Sequence, residues 1–147
     1  MKKRLPAILT INPLIAYNMR IKRSIAKALI RHAKKDKPLE ACGYLAEKDG
    51  VIVAHYEMAN ADQSREHFSM NPSEQFDVIR KMRDLKYTLA ASYHSHPTTA
   101  ARPSEEDIKL AYDPNISYVI ISLIDNTIQS YKIRNGDVIP EEVTLED

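Results

Sequence analysis

Two segments of the chain carry apolar residues at the spacing of an amphipathic helix. The segment 21–35, IKRSIAKALIRHAKK, predicts a helix with a basic face, which is either solvated surface or a docking surface for an acidic partner. The segment 71–87 predicts a second helix, with Asn71 as its cap, Pro72 at its first position and Glu74 at its third. The apolar stripes consist of Ile21, Ile25, Ala28 and Leu29 in the first segment and of Phe76, Ile79, Met82 and Leu85 in the second.

Two other segments have the pattern of β-hairpins, in which β-prone apolar runs flank a dipeptide that tolerates positive φ angles. The first hairpin is predicted within residues 40–60, about Asp49-Gly50. The second is predicted within residues 127–145, about the sequence NG at 135–136. Pro140 cannot donate a backbone hydrogen bond, so it suggests that this part of the second hairpin lies at a sheet edge.

Between the hairpins the pattern changes from strand to helix and back to strand. Residues 88–96, TLAASYHSH, predict a strand, and residues 103–112 predict a short helix. Residues 117–124, SYVIISLI, are so apolar that we expect a central strand with both faces buried. This mixture without a regular repeat predicts an α+β fold with an α/β/α-like arrangement, in which helices flank a mixed, mainly antiparallel sheet.

Length and composition are those of a single globular domain. The chain has 147 residues, of which 44% are apolar and 28% charged. Its 21 Lys and Arg residues nearly balance its 20 Asp and Glu residues, for a net charge of +1. This balance argues against nucleic acid or an acidic membrane as the partner.

Cysteine content and the N-terminal pattern indicate a compartment. Cys42 is the lone cysteine, which excludes an internal disulfide and a four-cysteine zinc cluster and favours reducing conditions. Pro6, Asn12 and Pro13 interrupt the apolar residues near the N-terminus, so no signal peptide is predicted. No apolar run approaches the roughly 20 residues of a membrane-spanning helix. We therefore expect a cytoplasmic protein.

Candidate metal chemistry is concentrated in the stretch SYHSHPTTAARPSEED, residues 92–107. If residues 93–96 end a strand, the period of two places His94 and His96 on the same face, where both imidazoles can reach one ion. A catalytic zinc site typically has three protein ligands and one position for water. Two histidines therefore need one further ligand, for which a carboxylate is suitable.

Asp107 is the candidate carboxylate, because it falls in the first turn of the predicted helix that follows the loop 98–102. The spacing Ser104-x-x-Asp107 is also that of a helix capping box, which alone would explain both residues. The neighbouring histidine pair favours the metal-ligand interpretation, because two imidazoles on one strand face beside a carboxylate-bearing helix start need a common explanation.

Glu40 is an upstream candidate for handling protons during hydrolysis. It begins the apolar segment EACGYL, where partial burial would raise the pKa of its carboxyl group. Spacing alone supports this role only weakly, because Glu40 could simply be a surface residue at the start of a strand.

Together these residues resemble the signature of the JAMM (MPN-plus) metalloproteases, an upstream Glu followed by His-x-His-Pro and then Ser-x-x-Asp. In this chain the pattern is Glu40, HSHP at 94–97, TTAARP at 98–103 and SEED at 104–107. The resemblance extends from about residue 19 to residue 147 and leaves residues 1–18 as an N-terminal extension. The segments EACGYL, HSHPTTAARPSEED and YVIISL look most like the small, stand-alone prokaryotic members.

The resemblance implies a cytidine-deaminase-like JAMM/MPN fold and a role for each matching residue. His94, His96 and Asp107 would bind Zn²⁺ together with a water molecule. Glu40 would act as general base and then as general acid, and Ser104 would stabilise the tetrahedral oxyanion.

The resemblance also implies a substrate class. The small family members are associated with ubiquitin-like proteins and sulfur carriers, cutting a peptide or isopeptide bond after a C-terminal Gly-Gly, including release of cysteine from the carrier. Such a tail suits strand addition to a sheet edge. The alternative is a metal-free MPN-type scaffold that binds partners without catalysis, but a scaffold has no need to keep all five signature residues.

Other zinc hydrolases and the remaining candidate residues fit less well. Amidohydrolase barrels need about 250 residues, and zinc deaminases need paired cysteines. Cys42 is expected to be a small buried hydrophobe rather than a ligand or redox group. His32 is expected to be a core or boundary histidine. His55 and His67 lack partners at metal spacing, although His67 with Phe68 is also consistent with a substrate-facing loop.

Overall fold

The structure is a computed structural model that describes residues 17–147. This part of the chain forms seven strands and three helices. In chain order they are β1 (Asn18–Lys22), α1 (Arg23–Asp36), β2 (Cys42–Lys48), β3 (Val51–Met58), α2 (Pro72–Asp84), β4 (Thr88–His96), α3 (Glu105–Lys109), β5 (Ser117–Ser122), β6 (Thr127–Arg134) and β7 (Asp137–Glu146).

The strands form one strongly curved mixed sheet in the order β1-β3-β2-β4-β5-β6-β7, which closes because β1 also pairs with β7. The pairs β4–β5, β1–β3 and β1–β7 are parallel, and the other pairs are antiparallel. The predicted α+β class with a mixed, mainly antiparallel sheet and flanking helices is therefore confirmed. None of the helices in the described range is long and apolar enough to cross a membrane.

The two faces of the sheet bury different helices. One face packs against α1 through a core that includes Leu29, Leu45, Tyr93 and Ile121. The opposite face packs against α2 through Cys42, Ala46, Met58, Val78 and Met82. Along the end of β4 the side chains alternate between these faces, so Tyr93 points into the α1 core while its neighbour His94 lies on the other face.

The N-terminal part differs from the pattern-based prediction. The first helix begins at Arg23 and not at Ile21, because residues 18–22 form β1. Met19 and Ile21 are buried and alternate with the exposed Asn18 and Arg20, which is the period of a strand. The predicted extension, residues 1–18, lies outside the described residues except for its last two, and Asn18 already belongs to β1.

Helix α2 has the predicted start, and its buried face matches the predicted stripe only in part. Asn71 caps it by accepting a hydrogen bond from the Ser73 amide, and Pro72 is its first residue. Phe76 is 74% exposed and Leu85 is 54% exposed. Met82 of the predicted stripe is buried and Ile79 packs against the same core, but the second fully buried position is Val78, one turn before Met82, because the helix is rotated on the sheet relative to the predicted stripe.

The predicted strands and turns agree with the structure, except that the strand predicted at 117–124 ends at Ser122 and Ile124 is exposed. Both hairpin dipeptides have positive φ angles, 54° and 79° at 49–50 and 52° and 82° at 135–136. Strand β5 pairs on both sides and is almost fully buried. Pro140 pairs with β6, and β1 joins β7 only from Glu142 onward, so among the described strands Pro140 has a neighbour on one side only.

Candidate metal centre

The end of β4 and the start of α3 bring the three predicted donor residues together. His94 and His96 are the third-last and last residues of β4 and share one face of that strand. Ser104 caps α3, and Asp107 lies at the third position of the helix. The loop 97–104 folds back, so that the first turn of α3 faces the end of the strand.

Three atoms of these side chains form a nearly equilateral triangle. The Nε2 atoms of His94 and His96 lie 3.2 Å apart. Each lies 3.1 Å from Asp107 Oδ2. Ligands at about 2.0 to 2.1 Å from a tetrahedral zinc ion lie roughly 3.3 Å from one another. The triangle therefore has the dimensions of three corners of such a site, and its nitrogen and carboxylate donors suit a divalent transition metal.

Both histidine rings have fixed orientations. The Nδ1–H group of His96 donates to the Ala100 carbonyl over 2.8 Å, which turns the Nε2 atom toward the triangle. The ring of His94 stacks on Phe68, with ring centroids 4.6 Å apart and planes 24° apart. The rings are thus held from the backbone of one loop and from an aromatic side chain of another.

The capping and metal-ligand interpretations of Asp107 are compatible in the structure. The Ser104 amide donates to Asp107 Oδ2 over 2.9 Å, and the Asp107 amide donates to Ser104 Oγ over 3.0 Å, which completes the capping box. The same Oδ2 atom faces both histidines. Although burial opposes ionisation, the hydrogen bonds with His94 and His96 hold the pKa of this carboxyl group well below its usual range. The cap thus orients an ionised carboxylate toward the imidazoles.

Glu40 is buried beside this cluster and lies two residues before β2, which starts later than the sequence suggested. Only 3% of Glu40 is exposed, and within residues 17–147 its Oε1 atom has no hydrogen-bond partner. Burial raises the pKa of the carboxyl group to about 8, while the neighbouring His96 opposes the rise and Asp107 adds to it. The structure thus excludes the alternative that Glu40 is a surface residue.

A serine on the opposite face of β4 fixes the Glu40 segment against the strand that carries both histidines. Ser95 Oγ accepts a hydrogen bond from the Ala41 amide over 2.7 Å. The Ser95 amide donates in turn to the Ala41 carbonyl over 2.9 Å. Glu40 is therefore held next to the histidines by the backbone of its own neighbour. No sequence pattern singled out Ser95. It lies between the two histidines in the chain, but its side chain points to the other face of β4.

A cleft of about 400 Å³ opens beside the triangle, and His94 and Asp107 form part of its wall. On one side it is bounded by the loop 67–70 and Gln75 of α2. On the other side it is bounded by residues at either end of α3, namely Pro103, Leu110 and Tyr112. No sequence pattern indicates this cleft beyond the substrate-facing loop considered for residues 67–68, because its walls come from segments far apart in the chain.

The other weighed residues lie outside the triangle. Cys42 is fully buried and pairs with His94 where β2 runs beside β4. Burial raises the pKa of its thiol to about 12, which makes it a poor thiolate ligand. His32 is buried and hydrogen-bonded to the Tyr93 hydroxyl over 2.8 Å. His55 pairs with Glu57 and His67 with Asp62.

Comparison with known proteins identifies the class. A family model for prokaryotic homologs of the JAB domain matches residues 22–134. This is more than half of the chain, so the protein belongs to that family. The resemblance to JAMM-type proteins is confirmed, and the fold with it.

Three relatives show the degree of similarity. The CysO-cysteine peptidase of Mycobacterium tuberculosis is 37% identical over 134 residues, which cover 88% of this chain and 92% of that protein. A protein of Desulfitobacterium hafniense solved in solution superposes with a TM-score of 0.81 at 38% identity, covering 88% of this chain and 93% of that one. A structure described as JAMM, a metalloprotease-like zinc site in the proteasome and signalosome, shares the fold with a TM-score of 0.57 at 22% identity, covering 86% and 98%.

Proposed function

We propose that this protein is a zinc-dependent peptidase that cleaves after the C-terminal Gly-Gly of a sulfur-carrier or ubiquitin-like protein, and that the released group is cysteine. The observation that carries the proposal is the triangle of His94, His96 and Asp107 beside the buried carboxyl group of Glu40. The similarity to a protein named CysO-cysteine peptidase supports the carrier substrate and the released amino acid. The lone cysteine agrees with a cytoplasmic site of action.

In this proposal His94, His96 and Asp107 would hold the zinc ion, because their Nε2 and Oδ2 atoms face one another in the triangle. When bound, zinc supplies a Lewis acid for the scissile carbonyl and lowers the pKa of its water toward about 7. The Ala100 carbonyl fixes the tautomer of His96. The ring of Phe68 restricts rotation of His94. The chain thus presents its ligands in one conformation.

Glu40 moves the proton. A carboxyl group with a pKa of about 8 both gains and loses a proton near neutral pH, which is the condition for efficient general acid–base catalysis. In the proposed reaction Glu40 accepts the proton of the attacking water and then donates it to the leaving amine. Its burial excludes bulk water, which would otherwise exchange that proton.

Ser104 stabilises the oxyanion of the tetrahedral intermediate. Its Oγ atom already accepts the hydrogen bond from the Asp107 amide, so its own hydroxyl proton is available to donate. A donor to a developing oxyanion typically contributes a few kcal/mol to transition-state stabilisation.

The cleft receives the carrier tail. It is walled by apolar and aromatic side chains, and it reaches the triangle at His94 and Asp107. A tail that ends in two glycines has no side chains next to the scissile bond, so its backbone approaches the metal ligands closely. The bulk of the carrier remains outside, beyond the mouth of the cleft.

The test combines metal analysis with hydrolysis. Purified protein supplied with zinc should retain close to one zinc per chain, and Asp107→Ala should lose it. Glu105→Ala is the matched control, because it removes an exposed carboxylate from the same helical turn and should keep the zinc. Wild-type protein with no zinc after supplementation would instead favour the metal-free scaffold.

The hydrolysis arm uses carrier proteins that bear different C-terminal adducts, with mass spectrometry to detect the released group. Wild-type protein should release cysteine from a Gly-Gly–cysteine adduct. Glu40→Gln should bind zinc normally and lose roughly 10²- to 10⁴-fold in kcat. Unchanged turnover in Glu40→Gln would remove the proton-transfer role.

A further inference from the structure

One buried side-chain amide, that of Asn60, organises the loop between β3 and α2. Its Nδ2 atom lies 3.1, 3.3 and 3.0 Å from the carbonyl oxygens of Glu40, Ser64 and His67. Its Oδ1 atom accepts hydrogen bonds from the amides of Asp62 and Ser69 over 3.0 and 3.3 Å. Asn60 is only 8% exposed, so these partners replace water almost completely.

The orientation of this amide is determined by its surroundings. Three carbonyl oxygens face the Nδ2 atom and two N–H groups face the Oδ1 atom. A flipped amide would place oxygen against three carbonyls and nitrogen against two donors, so the network permits one arrangement only. Of the twenty amino acids, only asparagine carries an NH₂ donor group and a carbonyl acceptor on a side chain of this length.

The amide connects two parts of the candidate site. Through the Glu40 carbonyl it holds the residue whose buried Oε1 atom has no hydrogen-bond partner among residues 17–147. A second bond, from the Glu40 amide to the Ser64 carbonyl over 2.9 Å, depends on the same loop conformation. Through His67 and Ser69 it holds the residues on either side of Phe68, whose ring stacks on His94.

We propose that Asn60 is a positioning residue for hydrolysis, which sets the place of the Glu40 carboxyl group and of the Phe68 ring without touching the substrate. This inference rests on the proposed function. Removing the amide should loosen the Phe68 ring beside His94, but β4 still carries both histidines and the Ser104 cap still holds Asp107, so the zinc should be retained. The Glu40 carboxyl group, in contrast, loses its support. A misplacement of about 1 Å at such a group costs up to roughly 10²-fold in rate.

The experiment compares Asn60→Ala with Asn71→Ala in the zinc-loaded enzyme. Asn71 lies at the other end of the same loop, and its side chain caps α2 without contacting Glu40 or Phe68. Loss of that cap costs about 1 kcal/mol of stability, so Asn71→Ala controls for general destabilisation. Asn60→Ser, whose hydroxyl retains one donor and one acceptor, is a milder second variant in case Asn60→Ala does not fold.

Asn60→Ala should keep about one zinc per chain and lose roughly 10- to 100-fold in kcat, with KM changed less than about threefold. Asn60→Ser should lose less than Asn60→Ala, and Asn71→Ala should keep its kcat within about twofold. Full kcat in Asn60→Ala or Asn60→Ser, or equal kcat losses in Asn60→Ala and Asn71→Ala, would overturn the positioning role. Loss of zinc in Asn60→Ala would overturn it as well.

Amide hydrogen exchange provides a readout that does not depend on activity. In Asn60→Ala or Asn60→Ser, the amides of Glu40 and Ser69 should exchange about tenfold faster, as expected for local opening made easier by ~1.4 kcal/mol. They should be unchanged in Asn71→Ala. If the wild-type protein released nothing from any adduct, the proposed function would fail, and the exchange rates would still decide whether Asn60 holds Glu40.

Discussion

Replacing Glu40 by Gln removes an ionisable group from the interior while keeping its size and shape. Glu40 is 3% exposed, and its Oε1 atom has no hydrogen-bond partner among the described residues. Burial raises its pKa from 4.5 to about 8 in the folded protein. In the unfolded chain it ionises near the ordinary value, so between these two pH values folding requires the uptake of a proton.

The sign of the effect follows directly from the raised pKa. The contribution of the protonated carboxyl group to stability is fully present below about pH 4.5 and is lost as the pH rises through about 8. At 1.36 kcal/mol for each tenfold change in proton affinity, the loss has an upper bound of roughly 5 kcal/mol. Relaxation around the buried charge reduces this value, so we expect about 2 kcal/mol.

The assay is urea unfolding of metal-free protein between pH 5 and pH 8. Glu40→Gln should unfold with nearly the wild-type free energy at pH 5 and should be more stable than wild type by about 2 kcal/mol at pH 8. Glu142→Gln, which neutralises an exposed carboxylate on β7, should follow the wild-type pH dependence. Equal stabilities of wild type and Glu40→Gln at both pH values would refute the idea that this carboxyl group ionises at a cost.

Two further predictions concern the support of the strands that carry the site. Gly43→Ala should destabilise the protein by about 3 kcal/mol in urea unfolding, because the new Cβ would lie 2.6 Å from the Tyr93 ring and still closer to the Tyr56 carbonyl oxygen. Gly136→Ala, which has open space but a positive φ, should cost only about 1 kcal/mol, and equal losses would contradict the steric explanation. Ser95→Ala should cost roughly 1 to 3 kcal/mol and lower kcat, because it leaves the Ala41 amide beside Glu40 without its partner. An unaltered stability and kcat in Ser95→Ala would show that the backbone pairing of Ala41 and Ser95 is sufficient.

Local patterns predicted the elements that form from short-range physics. Asp49-Gly50 and the NG dipeptide at 135–136 tolerate the positive φ angles of a tight hairpin turn, and both adopt them in the structure. Asn71 and Pro72 determine the start of α2 for reasons confined to one helical turn. The period of two along β4 placed His94 and His96 on one face, and the spacing of Ser104 and Asp107 indicated both the cap and the approach of a carboxylate.

Tertiary structure decided everything that depends on a distant segment. Ile21 is helical by local pattern, but it lies in β1 because β7 offers a parallel partner 124 residues further along the chain, at Leu145. Phe76 belongs to an apolar stripe by spacing and is nevertheless exposed, because the sheet contacts the neighbouring face of α2. The sequence by itself determined which donors are present and how each is presented locally. Only the folded chain decided that Glu40 is buried beside them and that Asn60 holds it there, since burial and multi-segment hydrogen bonding arise from contacts that no local pattern contains.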